Sequence, residues 1–66
     1  MSWNYRVLQN ENSVAIYEVY YDENGEPDSC TISPVSPLAE DVEGLKKDLE
    51  MMEQAFDKPV LDYEDF

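Results

Sequence analysis

The sequence predicts an α+β fold, a three-stranded antiparallel β-meander followed by one C-terminal α-helix packed on one face of the sheet (βββα). The first half is rich in β-branched and aromatic residues and contains an Asn-Gly turn signal. From about residue 42, apolar residues recur instead at the 3.6-residue spacing of a helix. We expect residues 1–66 to form a single small acidic domain.

The three strands are expected over about residues 3–9, 14–22 and 28–33. The second and third strands flank Asn24-Gly25, which is typical of a two-residue type I′ turn. The prolines that follow residue 33 are expected to end the sheet, because proline cannot donate a hydrogen bond to a neighbouring strand.

The expected turn also sets the pairing of these two strands. It places Val19 opposite Cys30 and Tyr17 opposite Ile32, and residues that face each other across two strands share one side of the sheet. We therefore expect these four side chains to point into the core. A buried Cys30 would be an inert thiol, not a nucleophile.

The first strand is expected to add Trp3, Tyr5 and Val7 to the same core, with Arg6 outside. This orientation requires an odd-length loop around residues 10–13, because an even loop would turn Arg6 inward.

One helix cannot cover both sides of a sheet, so we expect an open face. That face would carry Leu8, Val14, Ile16 and Tyr20, and it would be a modest apolar patch or a partner surface.

The helix is expected over about residues 42–56, with Asp41 as its N-cap and an end before Pro59. Gly44 lies inside it at a cost of about 1 kcal/mol relative to alanine, for which the sequence offers no reason. The acidic tail over residues 60–66 is expected to tuck one or two apolar residues under the sheet. The apolar stripe expected to face the sheet is Val42, Leu45, Leu49, Met52 and Phe56, with Ala55 beside it.

Charge is the strongest functional signal in this chain. Sixteen Asp and Glu residues stand against four Lys and Arg residues, which gives a formal net charge of -12. A small domain needs a net charge of only about 2–8 for solubility, and a larger excess opposes compact folding by self-repulsion. The excess therefore favours a basic partner protein, whereas nucleic acids and anionic membranes should repel this chain.

Other classes of function find little support in the sequence. The chain has no histidine, one cysteine, no Gly-rich phosphate loop and no zinc-ligand spacing, so we expect no enzyme, cofactor or metal site. The acidic turn Asp22-x-Asn24-Gly25 departs from the spacing of a calcium loop. Without an apolar leader or membrane-spanning run, the chain is expected to be cytoplasmic, and we expect a monomer.

Two groups of carboxylates and two tyrosines are the candidate partner-binding residues. Seven carboxylates between Glu40 and Asp57 would spread over about 24 Å of helix, a length over which one DNA strand carries about seven phosphates. A solvated helix face and an ordinary polar turn remain the alternatives for these groups. The candidates are Asp22, Glu23, Glu26 and Asp28 at the hairpin, Glu40, Glu43, Asp48, Glu50, Glu53 and Asp57 around the helix, and the aromatics Tyr20 and Tyr63.

Two resemblances bear on these candidates. The segments Trp3-Asn-Tyr-Arg-Val7, Glu18-Val-Tyr-Tyr-Asp-Glu23, Gly25-Glu26-Pro27 and Lys58-Pro59-Val60 resemble a group of short uncharacterised bacterial proteins, which implies no activity. In size and acidity the chain is similar to phage-encoded anti-CRISPR proteins, in particular the small anionic inhibitor of type I-C systems. That resemblance implies a bacterial host cytoplasm and a partner site on the large Cas8 subunit, where DNA or its PAM is read.

We therefore expect a non-enzymatic inhibitor that mimics DNA and occupies a basic nucleic-acid-binding surface. The alternative is a housekeeping interaction module that binds or dimerises through the open sheet face at Leu8, Ile16 and Tyr20. Salt distinguishes them, because screening weakens a charged interface steeply and an apolar one little.

Overall fold

The computed structural model describes residues 2–66, which form a four-stranded mixed sheet and one helix. The order of strands across the sheet is β3-β2-β1-β4. The α+β class is confirmed. The elements are β1 (Ser2–Gln9), β2 (Val14–Tyr21), β3 (Pro27–Cys30), α1 (Val42–Glu53) and β4 (Leu61–Asp62), with 3₁₀ turns at Gln54–Asp57 and Tyr63–Asp65.

The fourth strand corrects the expected three-stranded antiparallel sheet. β4 runs parallel to β1 at the edge of the sheet, with Leu61 opposite Leu8 and Asp62 opposite Gln9. A strand of two residues shows no alternation, so its hydrophobic pattern could not reveal it.

The expected facing of β1 is wrong. β1 and β2 pair with Arg6 opposite Tyr17, so Arg6 points to the same side as the buried Tyr17 and is only 8% exposed. Trp3, Tyr5 and Val7 point to the other side, although Val7 is still buried there.

The loop between β1 and β2 explains this facing. It contains the four residues 10–13, and this even number turns Arg6 inward. The Asn10 backbone N–H donates to the Ser13 carbonyl over 3.0 Å. The Asn10 side-chain oxygen accepts bonds from the Asn12 backbone N–H and the Ser13 hydroxyl. An Asx-type turn therefore closes the loop.

The clustered part of the core lies on the Arg6 side of the sheet, whereas Val7, also buried, lies on the other side. Leu8, Tyr17 and Val19 form this buried cluster, and Leu61 and Tyr63 pack against it. The tail thus covers a face of the sheet that the single helix does not cover. This agrees with the expectation that one or two apolar residues of the tail lie under the sheet. Leu8 was expected on an open face and instead lies in the core, because the turned β1 brings it there.

The pairing of β2 with β3 is partly as expected. Val19 lies opposite Cys30, which confirms that pair. Ile32 was expected inside but is 88% exposed, because β3 ends at Cys30 and does not reach residue 33.

The hairpin turn differs from type I′. Gly25 has a φ of 79° and no other described residue has a positive φ, whereas type I′ requires one at Asn24 as well. Asp22 bonds through its N–H to the Glu26 carbonyl and through its carbonyl to the Gly25 N–H, which leaves three residues, 23–25, in the loop. A bulge opposite Tyr20/Tyr21 then restores the expected register.

The helix begins as expected. Asp41 is its N-cap, and Asp41 Oδ1 accepts a 2.7 Å bond from the Gly44 N–H. A Cβ at position 44 would lie 2.9 Å from that oxygen and 3.1 Å from Ala39 Cβ, so the cap and the incoming chain explain the glycine. The 3₁₀ turn carries the helical segment to Asp57, just before Pro59.

The rotation of the helix about its own axis was not expected. Met52 and Ala55 are buried, but Val42, Leu49 and Phe56 of the expected core stripe are exposed. At 3.6 residues per turn, the buried side is centred about 70° from the centre of that stripe.

Asp48 accounts for this rotation. It is half-buried, and its carboxylate accepts bonds from the Leu38 N–H at 3.1 Å and the Tyr5 hydroxyl at 3.4 Å. These bonds hold a polar position of the helix on the sheet side and leave part of the apolar stripe in solvent.

Candidate functional site

The surface charge is more one-sided than the composition shows. Thirteen of the sixteen carboxylate side chains are exposed, and Glu18, Asp22 and Asp48 are half-buried. Arg6 is buried, so the exposed basic side chains between residues 2 and 66 are Lys46, Lys47 and Lys58. Such a field attracts cationic surfaces over a distance of about one screening length.

The hairpin carries one group of the candidate carboxylates. Asp22 Oδ1 accepts bonds from the Asn24 and Glu26 backbone N–H groups at 2.9 and 3.0 Å, so this carboxylate is used to shape the turn. Glu23, Glu26 and Asp28 are exposed around it. Three exposed carboxylates therefore surround a hydrogen-bonded turn.

The helix carries the second group. Asp48 is bonded within the protein, as described above, and does not face solvent freely. The other five candidates are exposed on or beside the helical segment. They are Glu40, Glu43, Glu50, Glu53 and Asp57.

The two candidate aromatics both have partners inside the protein. The Tyr20 hydroxyl donates a 2.6 Å bond to Glu18 Oε1, and this bond raises the pKa of Tyr20. Tyr63 packs on Tyr17 with ring centroids 5.3 Å apart and donates to the Ile32 carbonyl. Tyr63 therefore stabilises the tail against the sheet. Tyr20 is half-buried at the surface of the sheet.

Arg6 forms a buried polar site that the sequence did not suggest. Its Nη1 donates to the Tyr21 hydroxyl and its Nη2 to the Pro59 carbonyl, each over 2.8 Å, and its buried Nε has no partner. Tyr21 in turn donates to Asn4 Oδ1 over 2.7 Å. The four-residue turn signal Asn10-x-x-Ser13 was the one feature that could have predicted this facing.

The structure also bears on two other kinds of chemistry, the reactivity of the Cys30 thiol and the binding of a metal ion. Burial raises the pKa of the Cys30 thiol, which keeps it protonated and poorly nucleophilic near neutral pH. Within residues 2–66, no group of three or more Cys, Asp or Glu side chains is placed to hold a metal ion.

A cleft of about 160 Å³ lies beside β1, lined by Trp3, Tyr5, Met51 and Lys58 among others. Ligand pockets usually measure roughly 300–1,000 Å³, so this cleft is small for a cofactor.

Burial and the neighbouring carboxylates of Asp48 and Glu18 raise the pKa of Tyr5, whose hydroxyl remains a donor to Asp48.

None of the helices described between residues 2 and 66 is long and apolar enough to cross a membrane.

The chain matches no protein-family model, no curated protein and no solved structure. Its function is therefore inferred from its own surface.

Proposed function

We propose that this protein is a non-enzymatic inhibitor that mimics DNA and occupies a basic nucleic-acid-binding surface of a partner protein. In the sharper form suggested by the resemblance, the partner is the Cas8 subunit of a type I CRISPR effector, and DNA or PAM recognition is blocked. One observation supports this function above all. The surface presents thirteen exposed carboxylates and three exposed lysines, with the single arginine withdrawn into the core.

Carboxylates act in this mechanism as substitutes for phosphates. They form charge-assisted hydrogen bonds with Lys and Arg side chains of the partner, which are roughly twice as strong as bonds between neutral groups. The one-sided field also steers the encounter and raises the association rate. The inhibitor and DNA then compete for one surface.

The internal hydrogen bonds divide the ten candidate carboxylates. Asp22 and Asp48 accept bonds from their own chain, so we assign them structural roles. The eight exposed candidates carry the phosphate-mimicking role. They are Glu23, Glu26 and Asp28 at the hairpin and Glu40, Glu43, Glu50, Glu53 and Asp57 around the helix.

The alternative module, which would bind through an open sheet face, has no such support. Of the three residues expected on that face, Leu8 is only 1% exposed, and Ile16 and Tyr20 are half-buried.

The direct test is competition between this protein and PAM-containing DNA for a purified type I-C effector complex. Wild-type protein should displace labelled DNA in a gel-shift assay. Each paired charge reversal, Glu23→Lys with Glu26→Lys or Glu50→Lys with Glu53→Lys, is made separately. At least one of them should abolish displacement while the fold, checked by circular dichroism, is kept.

A matched control separates local contacts from total charge. Glu11→Lys with Glu64→Lys makes the same change in net charge at exposed residues outside the ten candidates. It should retain most of the displacement. Failure of wild-type protein to displace DNA would contradict this target, and full activity in both candidate variants would contradict phosphate mimicry by these residues.

A further inference from the structure

An apolar seam lies exposed along the helical segment. Val42 is 82% exposed, Leu49 44% and Phe56 70%, and Leu45 lies at the edge of the buried side. Large apolar side chains scattered singly over a surface are ordinary, but a continuous group of them marks an interaction site. These four residues are here called the seam.

The spacing of the seam is that of a helix-pairing surface. Its positions 42, 45 and 49 in α1 are spaced by three and four residues, and Phe56 follows seven residues later in the 3₁₀ turn, with the buried Met52 between them. This is the spacing of the core positions in paired helices, where each side chain fits between residues of the facing helix. The seam extends over about 20 Å, the length of nearly four helical turns.

The two borders of the seam differ. On the sheet side lie Asp48 and Ala55, which are half-buried and buried. On the solvent side the border is acidic, with Lys46 as its one basic residue. The carboxylates of that border are Glu43, Glu50, Glu53 and Asp57, all exposed.

Charge complementarity then selects the occupant. Residues that border the core of a helix pair choose the partner by opposite charge, so the occupant needs Lys or Arg beside its apolar residues. A second copy of this chain would bring together two molecules that each carry a net charge of -12, with the same acidic borders near the contact.

We propose that the seam binds a basic amphipathic helix of the partner protein, one whose apolar stripe is bordered by Lys and Arg. This rests on the proposed function, which requires a basic partner, and it adds the binding surface and the form of the partner element. Apolar packing then holds the complex, and the carboxylates beside the seam orient it.

The test uses three synthetic helical peptides of about 21 residues, or three heptads. The first has leucine at the core positions and Lys and Arg beside them. The second keeps these charges but has glutamine in place of leucine. The third keeps the leucines but has glutamate in place of Lys and Arg. The first peptide should bind the whole protein about tenfold more tightly than the second, and the third should not bind.

Variants of the protein locate the peptide. Leu49→Gln with Phe56→Gln removes apolar surface without changing charge and should weaken binding of the first peptide about tenfold. Ile32→Gln is the matched control, because Ile32 is 88% exposed outside the helix, and it should bind the peptide like wild type. Circular dichroism checks that all variants keep the fold.

Three outcomes would overturn the inference. The first is equal affinity for the leucine and glutamine peptides, which would leave only charge. The second is unchanged peptide binding by the seam variant. The third is a stable homodimer that the seam variant dissolves, seen by native mass spectrometry. Failure of the DNA-displacement assay is a separate result, because it concerns the proposed target and involves no peptide.

Discussion

At the scale of single residues, Arg6 has the most unusual environment. It is the one arginine in a strongly acidic chain, yet its hydrogen-bond partners are neutral oxygens of Tyr21 and Pro59. A planar guanidinium can donate to a hydroxyl on one segment and a carbonyl on another at the same time. Arg6 therefore joins β1 to β2 and to the segment that leads into β4. Because Arg6 is buried, its positive charge is not on the surface to offset the exposed carboxylates.

Replacing Arg6 tests this role. Arg6→Lys should lower the free energy of unfolding by about 1–2 kcal/mol, because a buried ammonium cannot satisfy both oxygens in the same geometry. Urea denaturation measures the change. Lys47→Arg on the exposed side of the helix should stay within about 0.5 kcal/mol of wild type. A wild-type midpoint for Arg6→Lys would contradict the joining role.

At the scale of elements, the hairpin and the helix both differ from the expected geometry while keeping their positions in the chain. The hairpin has a three-residue loop and a compensating bulge, which together preserve the pairing of Val19 with Cys30. The helix keeps its cap and its end but turns its apolar stripe partly into solvent. In both cases a carboxylate that accepts hydrogen bonds accompanies the change, with local donors at Asp22 and donors distant in sequence at Asp48.

The loop geometry can be measured by two substitutions at the hairpin. Gly25→Ala should cost about 1 kcal/mol or more of stability, because φ is 79° there. Asn24→Ala should cost less than about 0.5 kcal/mol, since Asn24 has no positive φ. Chemical denaturation compares the two variants. Equal large losses would point instead to a type I′ turn, where both positions need a positive φ.

The rotation of the helix predicts a contrast between neighbouring apolar residues. Met52→Ala should destabilise the fold by about 2–5 kcal/mol, because it removes a buried side chain. Leu49→Ala, which removes a side chain that is nearly half exposed, should cost much less. Thermal unfolding followed by circular dichroism measures both. Similar losses for the two variants would mean that the stripe faces the sheet symmetrically.

At the scale of the whole molecule, the same charge has opposite effects on folding and on binding. Exposed carboxylates repel one another within the fold, and in the proposed function they attract a cationic partner. Added salt screens both interactions, and the screening length falls from about 20 Å near 0.02 M salt to about 6 Å near 0.3 M. Stability and affinity should therefore respond to salt in opposite directions.

This opposition is directly measurable. Over that range of sodium chloride, the midpoint of thermal unfolding should rise, because self-repulsion is screened. Over the same range, displacement of DNA from the effector should require more inhibitor if the DNA is held at a fixed fractional occupancy. A midpoint that falls with salt would contradict dominant self-repulsion in the native state.

The acidic charge of the candidate site could be predicted from the sequence. Which carboxylates bond within the fold and which are exposed could not. Composition alone indicated an acidic surface and a basic partner. It could not separate Asp22 and Asp48, which bond within the fold, from Glu23 and Glu50, which are exposed. That separation depends on which backbone N–H groups come within reach of each carboxylate. The spacing of the seam residues in the sequence predicts an apolar stripe in the core, and the structure instead exposes most of that stripe.

The sequence by itself determined the α+β class, the positions of the three longer strands and the helix, and the cap at Asp41. These depend on local propensity and on hydrogen bonds between near neighbours. Only the tertiary structure decided which way β1 and α1 face. One residue more or less in a loop reverses every side chain of a strand. The rotation of the helix follows from bonds of Asp48 to Leu38 and Tyr5, the latter 43 positions away in the chain.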